Sequence, residues 1–535
     1  MKIPQAVSAI LRDHVTLEVE SLDRVYVNVY VPQLQYEGGV VAFLHQQRAA
    51  KIASTALIQP MTDAFVAAIK VFANVQHIPL VSFRKGQRKD DVAKEYLATF
   101  TGTEGVLFIG VAQEKARIPR TETRHRASTG ERYPWIVQAT TYVNYYYVYG
   151  VDAEVGPFFL KFCSYFPYNG RLCLNGHEYL KRQLAKEGIA FEALDNGIRS
   201  CADPARLQAL ADGFDEQVID RLLRTWLAIL PHPFTAADRE AGYRYQLSLL
   251  QVECSLTQVL DRPVHGRVLF EQIIRENLDL GRPDQVQLIF ERRVTTRTPG
   301  RFRTRVITDG VTPSLHVDYK HSRIKQYHKE GRALRTETTI NDPADFALRK
   351  GLSTLPALRA RGFAANRRLL DVECLSQDCT VGAEALAQVS RPQVVDGQRV
   401  AGLPILHPTV QALFQTLVLF CLQPAGFANK DLRPLLAHLL GLAPSMIRPG
   451  QMTYHLRRLR LHGLITRVPH THRYEVTAQG LRLALFCTRL QARVLQPGIT
   501  AVLPEVATTD TVLRPAFDRL DAAVTQFLAQ ARLVA

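Results

Sequence analysis

Apolar and polar positions change rhythm several times along the chain, and each rhythm predicts an element. Residues 23–32, DRVYVNVYVP, alternate with period two as a strand does. Residues 55–76 repeat apolar side chains at helical spacing, and IPLVSF (78–83) and GVLFIGVAQ (105–113) read as short buried strands. DDVAKEYLATF (90–100) is a helix with acids in its first turn, where the helix dipole favours them. Together these predict an N-terminal α/β unit over 1–115. RIPRTETRHRASTGERYP (117–134) is polar and reads as a loop. Aromatic β runs follow at 133–152 and 156–167, then a helix opens at Asn175 or Gly176. From 204 to 260 the pattern reads as helical, including SLLQVECSLTQVL (248–260), so 133–290 is expected to be a sheet plus helical scaffold. Residues 302–343 return to period two, break at Asp309-Gly310 and Glu330-Gly331, and end on Asn-Asp-Pro. That predicts an antiparallel sheet of three or four strands within 291–400.

The last rhythm lies at 405–500. PTVQALFQTLVLFCL and NKDLRPLLAHLLG predict two helices, and TYHLRRLRLHGL a third that ends at Gly463. Two β runs around a PHTH turn follow, then AQGLRLALFCTRLQARVL returns to helix, and 501–535 reads as a helical tail. Residues 456–480 carry L-x-x-L-x-x-x-G-L-I-x-R and then Y-x-V-T-x-x-G. The segment resembles bacterial winged helix-turn-helix regulators, and the resemblance implies a recognition helix followed by a β-wing. On that reading Tyr454, His455, Arg457, Arg458 and Arg460 face outward from the third helix, with His470, His472 and Arg473 in the wing. Arginine on a groove-facing helix reaches guanine edges or phosphates. The alternative is that some of these arginines pair with acids elsewhere on the protein.

Charge sharpens this picture. The net formal charge of the 535 residues is +16. Residues 291–370 hold 18 Lys and Arg against 7 Asp and Glu, and residues 448–482 hold 7 Arg against 1 Glu, so these two segments carry the whole excess. A localised basic excess suits a phosphate backbone, because each neutralised phosphate releases counterions. The partner expected is nucleic acid, DNA ahead of RNA; oligomerisation stays open. The eight cysteines are scattered without a C-x-x-C pair, as in a reducing compartment. The longest apolar run, near 412–422, is shorter than the roughly 20 residues of a membrane span. The first residues have no apolar leader core, so the expectation is a cytoplasmic protein with no membrane partner.

Nucleotide-hydrolysis signatures are missing: there is neither a G-x-x-x-x-G-K-[ST] nor a G-x-G-x-x-G spacing. RKGQRKDD (84–91) is a basic glycine loop feeding a helix start, a junction that can hold a phosphate on backbone amides. Lys85 and Lys89 there are candidate backbone contacts, with a solvated turn as the alternative. Tyr142, Tyr145, Tyr146, Tyr147 and Tyr149 crowd one strand, either to stack bases or as core. His177-Glu178 is not a zincin motif, because Lys181 stands where the second histidine is needed.

The central sheet holds the candidate chemistry. Arg335, Glu337 and Thr339 share one strand face, and Lys325, Tyr327 and Lys329 share another. Which face meets which depends on a one-residue register. A carboxylate ringed by cations suits a nuclease, with Glu337 or Asp318 holding a metal such as Mg²⁺; it equally suits a salt-bridged phosphate platform. IKQYHKEGRALRTETTIN resembles a strand pair of phage and plasmid rolling-circle replication endonucleases. That resemblance implies a metal-binding histidine and a tyrosine nucleophile, here His316 with Tyr319 or Tyr327. The whole chain also resembles an uncharacterised bacterial family associated with mobile elements. The expectation is therefore a multidomain α/β and α+β protein that binds DNA and nicks or processes it. The alternative is a non-catalytic DNA- or RNA-binding transcriptional regulator.

Overall fold

In the computed structural model the described residues are 7–277, 303–319, 321–377, 383–420 and 426–491, without 85, 126, 129 and 308–313, plus a few single positions beyond 491. The tail expected over 501–535 lies outside them, apart from those positions. The chain divides into two compact units, one of residues 9–271 with 286–367 and one of residues 368–535 with 1–8 and 272–285. The fold class is mixed α/β.

The first unit is built on strands β1 (Val15–Tyr30), β2 (Leu80–Ser82), β3 (Gly105–His125), β4 (Arg132–Asp152), β5 (Gly156–Cys163) and β6 (Gly170–Asn175). A small hairpin, β7 (Phe191–Leu194) and β8 (Gly197–Cys201), stands apart from the main sheet. β9 (Gln246–Leu260), β10 (Arg303–Ile307), β11 (Ser314–Tyr319), β12 (Ser322–Lys329) and β13 (Ala333–Ile340) complete an eleven-stranded sheet of order β10-β11-β12-β13-β9-β1-β6-β5-β4-β3-β2. Neighbours run antiparallel except β2 and β3. Strands from the segments read separately as 1–115, 133–290 and 291–400 therefore lie in a single sheet.

β1 sits at its centre because Val25, Val27 and Val29 alternate with Tyr26, Asn28 and Tyr30, and branched side chains pack well on a pleated surface. The helices Glu37–Arg48, Ile58–Val75, Gly176–Lys186, Pro204–Asp212 and Glu216–Ile229 bury Phe43, Phe65, Leu180, Leu207 and Trp226 in the main core. Trp226 also donates to Asp152 at 3.0 Å, and its truncation to alanine is worth about 3–5 kcal/mol. The stretch Thr55–Val75 has the length and apolarity of a membrane span. Its Ile58, Phe65, Ile69 and Ala73 are nonetheless buried in this core.

Two expectations are corrected. Residues 117–125 continue β3 and pair with residues 132–140 of β4, so the polar loop is confined to the turn between them. Cross-strand pairing holds this ribbon, with Arg124 5.0 Å over the Trp135 ring. SLLQVECSLTQVL belongs to β9, not to a helix. Paired on both sides, by β1 and β13, it is buried on both faces, which hides its alternation.

In the second unit the helices Pro408–Phe420, Asn429–Leu439, Pro449–Leu461 and Ala478–Leu490 alternate with β16 (Phe427–Ala428), β17 (Ile465–Arg467) and β18 (Arg473–Val476), after a hairpin of β14 (Gln393–Val395) and β15 (Gln398–Val400). The last three strands form a sheet of order β16-β18-β17. Gly463 follows the third helix at φ 72°, the left-handed conformation expected at its end.

Candidate functional site

The register within the central sheet resolves the face question. Tyr327 stands opposite Arg335 and Lys325 opposite Glu337, while His316 is opposite Lys325 and Asp318 opposite Arg323. With a two-residue repeat, Glu337, Asp318, His316, Tyr327, Lys329, Lys325 and Arg335 all belong to one face of β11–β13. β9 extends the same face with Ser255 opposite Glu337 and Glu253 opposite Thr339. The β12–β13 connection is a tight turn with positive φ at Glu330 and Gly331 (48° and 65°), which fits an antiparallel hairpin.

Arg335 is the centre of this face. Its side chain is fully buried, with Nη2 2.8 Å from Asp23 and Nε 2.8 Å from Glu337. It also donates to the Asn196 carbonyl, and Nη2 touches His177 Nε2. Asp23 reaches it because β1 shifts register between Leu22 and Val25, and such a bulge re-aims a side chain. His177 reaches it from the first turn of Gly176–Lys186, capped by Asn175. A Cβ at Gly176 would overlap the Leu22 carbonyl, so only glycine lets that helix start touch β1.

The ionisation states follow from burial and charge. Burial, with the Arg335 charge next, drives the His177 pKa down to about 3, so the imidazole is neutral. Asp23 is held below its ordinary range against burial by nearby positive charge and the Asn196 amide. Because His177 is neutral above about 3, Arg335 supplies that positive charge at neutral pH. Burial raises Glu337 while Arg335 opposes, and the Tyr327 hydroxyl donates to it at 2.9 Å. Glu337 is thus a counter-ion of Arg335 and the acceptor for Tyr327. Asp318 sits 2.8 Å from Arg323, and the buried His316 contacts Ser314 at 2.9 Å. Lys325 lies 4.3 Å from the Tyr327 ring centre, and Lys329 is 3.6 Å from Glu330. The Tyr319 side chain lies outside the described residues, as does Lys85.

Glu253 joins this face without having been singled out in the sequence. Burial pushes its pKa up to about 7, helped by the Asp23 and Glu337 carboxylates and opposed by Arg24. A carboxyl poised near neutrality among charged neighbours has the titration an acid–base group needs. The helix-like pattern of β9 in the sequence conceals that Glu253 and Glu337 share a face.

Metal-ligand geometry falls on other residues than Glu337 and Asp318, each of which already faces an arginine. Among the described residues, His14, Asp261 and His265 bring three ligand atoms within 4.8 Å of one another. His14 Nδ1 is 3.1 Å from one Asp261 oxygen, His265 Nδ1 is 2.6 Å from the other, and the rings stack at 3.6 Å. Two atoms bonded to one tetrahedral zinc at about 2.0–2.1 Å stand roughly 3.3 Å apart. This set can therefore hold such an ion with one position open. Two imidazoles favour a transition metal over Mg²⁺, which prefers oxygen.

The basic residues of the third C-terminal helix divide. Tyr454 is 49% exposed, and Arg460 is exposed as well. Arg458 is only 8% exposed and bonds to the carbonyls of Ala401 and Gly402, so its outward assignment is corrected. It flanks the Met452–Leu456–Leu459 core stripe, and its stem is buried with that stripe. Arg457 is half-buried and reaches Gln398 at 3.2 Å and the Arg399 carbonyl at 3.4 Å. Arg473 holds the Gly426 carbonyl and lies 3.8 Å from Asp431, which makes it a brace within the unit. His472 is exposed and lies 3.3 Å from Arg467, an exposed cation outside the residues predicted from the sequence. In the first unit Lys89 is ion-paired to Glu114 at 2.7 Å. Comparison of the chain with family models, curated proteins and solved structures gives no match, so the functional reading rests on this geometry alone.

Proposed function

We propose that the chain is a DNA-binding protein whose C-terminal unit is a winged helix-turn-helix, with Pro449–Leu461 as its recognition helix and β17–β18 as its wing. One observation carries the reading: Tyr454 and Arg460 on this helix and Arg467 and His472 on the hairpin are exposed, and the helix has no carboxylate. Helix, helix, helix and hairpin follow in the order this motif uses. DNA is favoured over RNA because a helix enters the wide major groove of B-DNA and not the deep, narrow groove of A-form RNA.

The test is fluorescence anisotropy of the whole chain with labelled duplex across a salt series. Arg460→Ala with Arg467→Ala should weaken binding by about 1–3 kcal/mol for each base edge no longer read, or lower the salt slope by about 1 for each phosphate no longer neutralised. Unchanged affinity and slope would remove the recognition-helix assignment.

A second reading, cleavage of nucleic acid on the polar sheet face, is favoured by one specific observation: Glu253 titrates near 7 among Asp23, Glu337 and Arg335. It fits a mobile-element endonuclease or replication-initiator-like protein. Labelled single- and double-stranded DNA and RNA, with and without Mg²⁺ or Mn²⁺, test it. Cleavage that Glu253→Gln abolishes while duplex affinity is kept supports it; no cleavage of any substrate leaves the non-catalytic regulator.

A further inference from the structure

On the half of the sheet formed by β3–β6, a cavity of about 340 Å³ opens beside the start of the helix Lys89–Thr99. Register places Tyr147, Lys161 and Arg171 side by side across β4, β5 and β6. Lys161 is almost buried, 2.6 Å from one Glu114 oxygen, and Lys89 lies 2.7 Å from the other. Tyr147 donates to the same carboxylate, and Lys89 sits 3.8 Å over its ring. Burial opposes ionisation of Glu114, yet hydrogen bonds from Lys161, Lys89 and Tyr147 hold its pKa near 2.

One carboxylate cannot balance this wall. Arg88 and Arg171 also line the cavity, and neither makes an ion pair among the described residues. Four cations therefore face two carboxylates, Glu114 and Asp90, a net formal charge of +2. The helix start adds to it, because Arg88 at the N-cap gives no side-chain acceptor to the first-turn amides. The remaining wall is aromatic, with Tyr26, Tyr149 and Phe159. The volume is at the small end of ligand sites, about 300–1,000 Å³.

We infer that this cavity binds the phosphate monoester of a nucleotide: the dianion against Arg88, Lys89, Lys161 and Arg171, and the base or sugar along the aromatic wall. Lys161 and Lys89 are preset by Glu114 and Tyr147, so the cationic wall stands ready before the ligand arrives. The exposed Arg171 and Arg88 provide the planar, bidentate donors that suit phosphate oxygens. The site is independent of the reading of the C-terminal unit, since all its residues lie in the first unit.

Isothermal titration of the full chain decides it, with 5′-AMP, adenosine, inorganic phosphate and a short 5′-phosphorylated oligonucleotide as titrants. Saturable 1:1 binding of 5′-AMP that adenosine does not match is expected, with inorganic phosphate weaker. If the oligonucleotide binds tighter than 5′-AMP and Arg171→Gln weakens it as much as it weakens 5′-AMP, the natural source is a nucleic-acid end, since this variant leaves the C-terminal unit intact; if 5′-AMP binds tighter, it is a free nucleotide. Arg171→Gln and Arg88→Gln should each lower affinity roughly tenfold, the scale of one charge-assisted hydrogen bond. Neither side chain holds the fold, and an unchanged circular dichroism spectrum verifies this. Absence of saturable 5′-AMP binding, equal binding of adenosine, or full affinity in the double variant overturns the inference.

Discussion

Arg335→Met removes the guanidinium at the centre of the polar face while keeping an unbranched apolar stem. The carboxyls it leaves are 4% exposed at Asp23 and 14% exposed at Glu337. Removing one partner of a buried ion pair costs about 3–5 kcal/mol, because the other charge stays out of water uncompensated. Two carboxylates are stranded here, so the upper part of that range applies at pH 8. The sign with pH follows from proton uptake. Without the cation both carboxyls titrate above their unfolded values, so the folded state binds protons first as pH falls. The deficit should therefore shrink by up to about 1.4 kcal/mol for each carboxyl and each pH unit through which it titrates. Urea denaturation at pH 5 and pH 8, wild type against variant, reads both quantities. Glu337→Gln is the control: it loses one of two counter-ions but keeps an acceptor for Tyr327, and should cost only about 1–3 kcal/mol. A deficit below about 1 kcal/mol for Arg335→Met at pH 8, or one that does not change with pH, would refute the pairing of Arg335 with both carboxylates.

Other consequences are as direct. Glu253 has a folded pKa of about 7, above its ordinary 4.5. Its contribution is therefore complete below 4.5 and is lost as pH rises through 7, a change of about 2–3 kcal/mol after allowing for partial exposure. Glu253→Gln should flatten the stability profile between pH 5 and 8, and a profile identical to wild type would show that Glu253 is solvated in both states. Zn²⁺ should raise the melting temperature of the wild type and not that of His265→Ala or His14→Ala; equal shifts in all three would place the ion elsewhere. Arg458→Ala should destabilise the C-terminal unit by about 1–3 kcal/mol through the orphaned Ala401 and Gly402 carbonyls. Arg460→Ala should leave stability within about 0.5 kcal/mol, and the reverse order in thermal denaturation would undo the division between brace and binding residue.

The elements with one buried face were the legible ones. Ile58–Val75 shows a helical stripe, β12 and β13 show clean alternation around Glu330-Gly331, and the helix Pro449–Leu461 stops where Gly463 permits. β9 failed because a central strand buried on both sides has no polar face to reveal its period. β3 failed beyond Arg117 for the opposite reason: with little burial on either face, its polar alternation resembles a loop, and only pairing with β4 gives it order. Charge counting found the basic segments but could not divide them. Arg458 and Arg473 count the same as Arg460 in a sequence, yet the first two satisfy backbone carbonyls within their unit.

The same limit applies to the central face, and it explains why Glu337 stood out in the sequence while Glu253 did not. Glu337 lies between basic residues in the chain, so it looks like an isolated carboxylate in a cationic field. In space its nearest cation is fully buried and also holds Asp23, which comes from a strand more than three hundred residues earlier. That sharing decides the roles. Arg335 must be neutralised wherever the face is dry, and Glu337 and Asp23 are committed to it. Glu253 is dominated by burial, with Arg24 and, more weakly, Arg335 pulling against it and against two neighbouring carboxylates. A group so balanced changes protonation near neutral pH, while Asp23, lowered by the positive charge beside it, keeps its own. If chemistry is done on this face, the proton moves at Glu253, and Arg335 with its two carboxylates keeps that carboxyl's surroundings fixed.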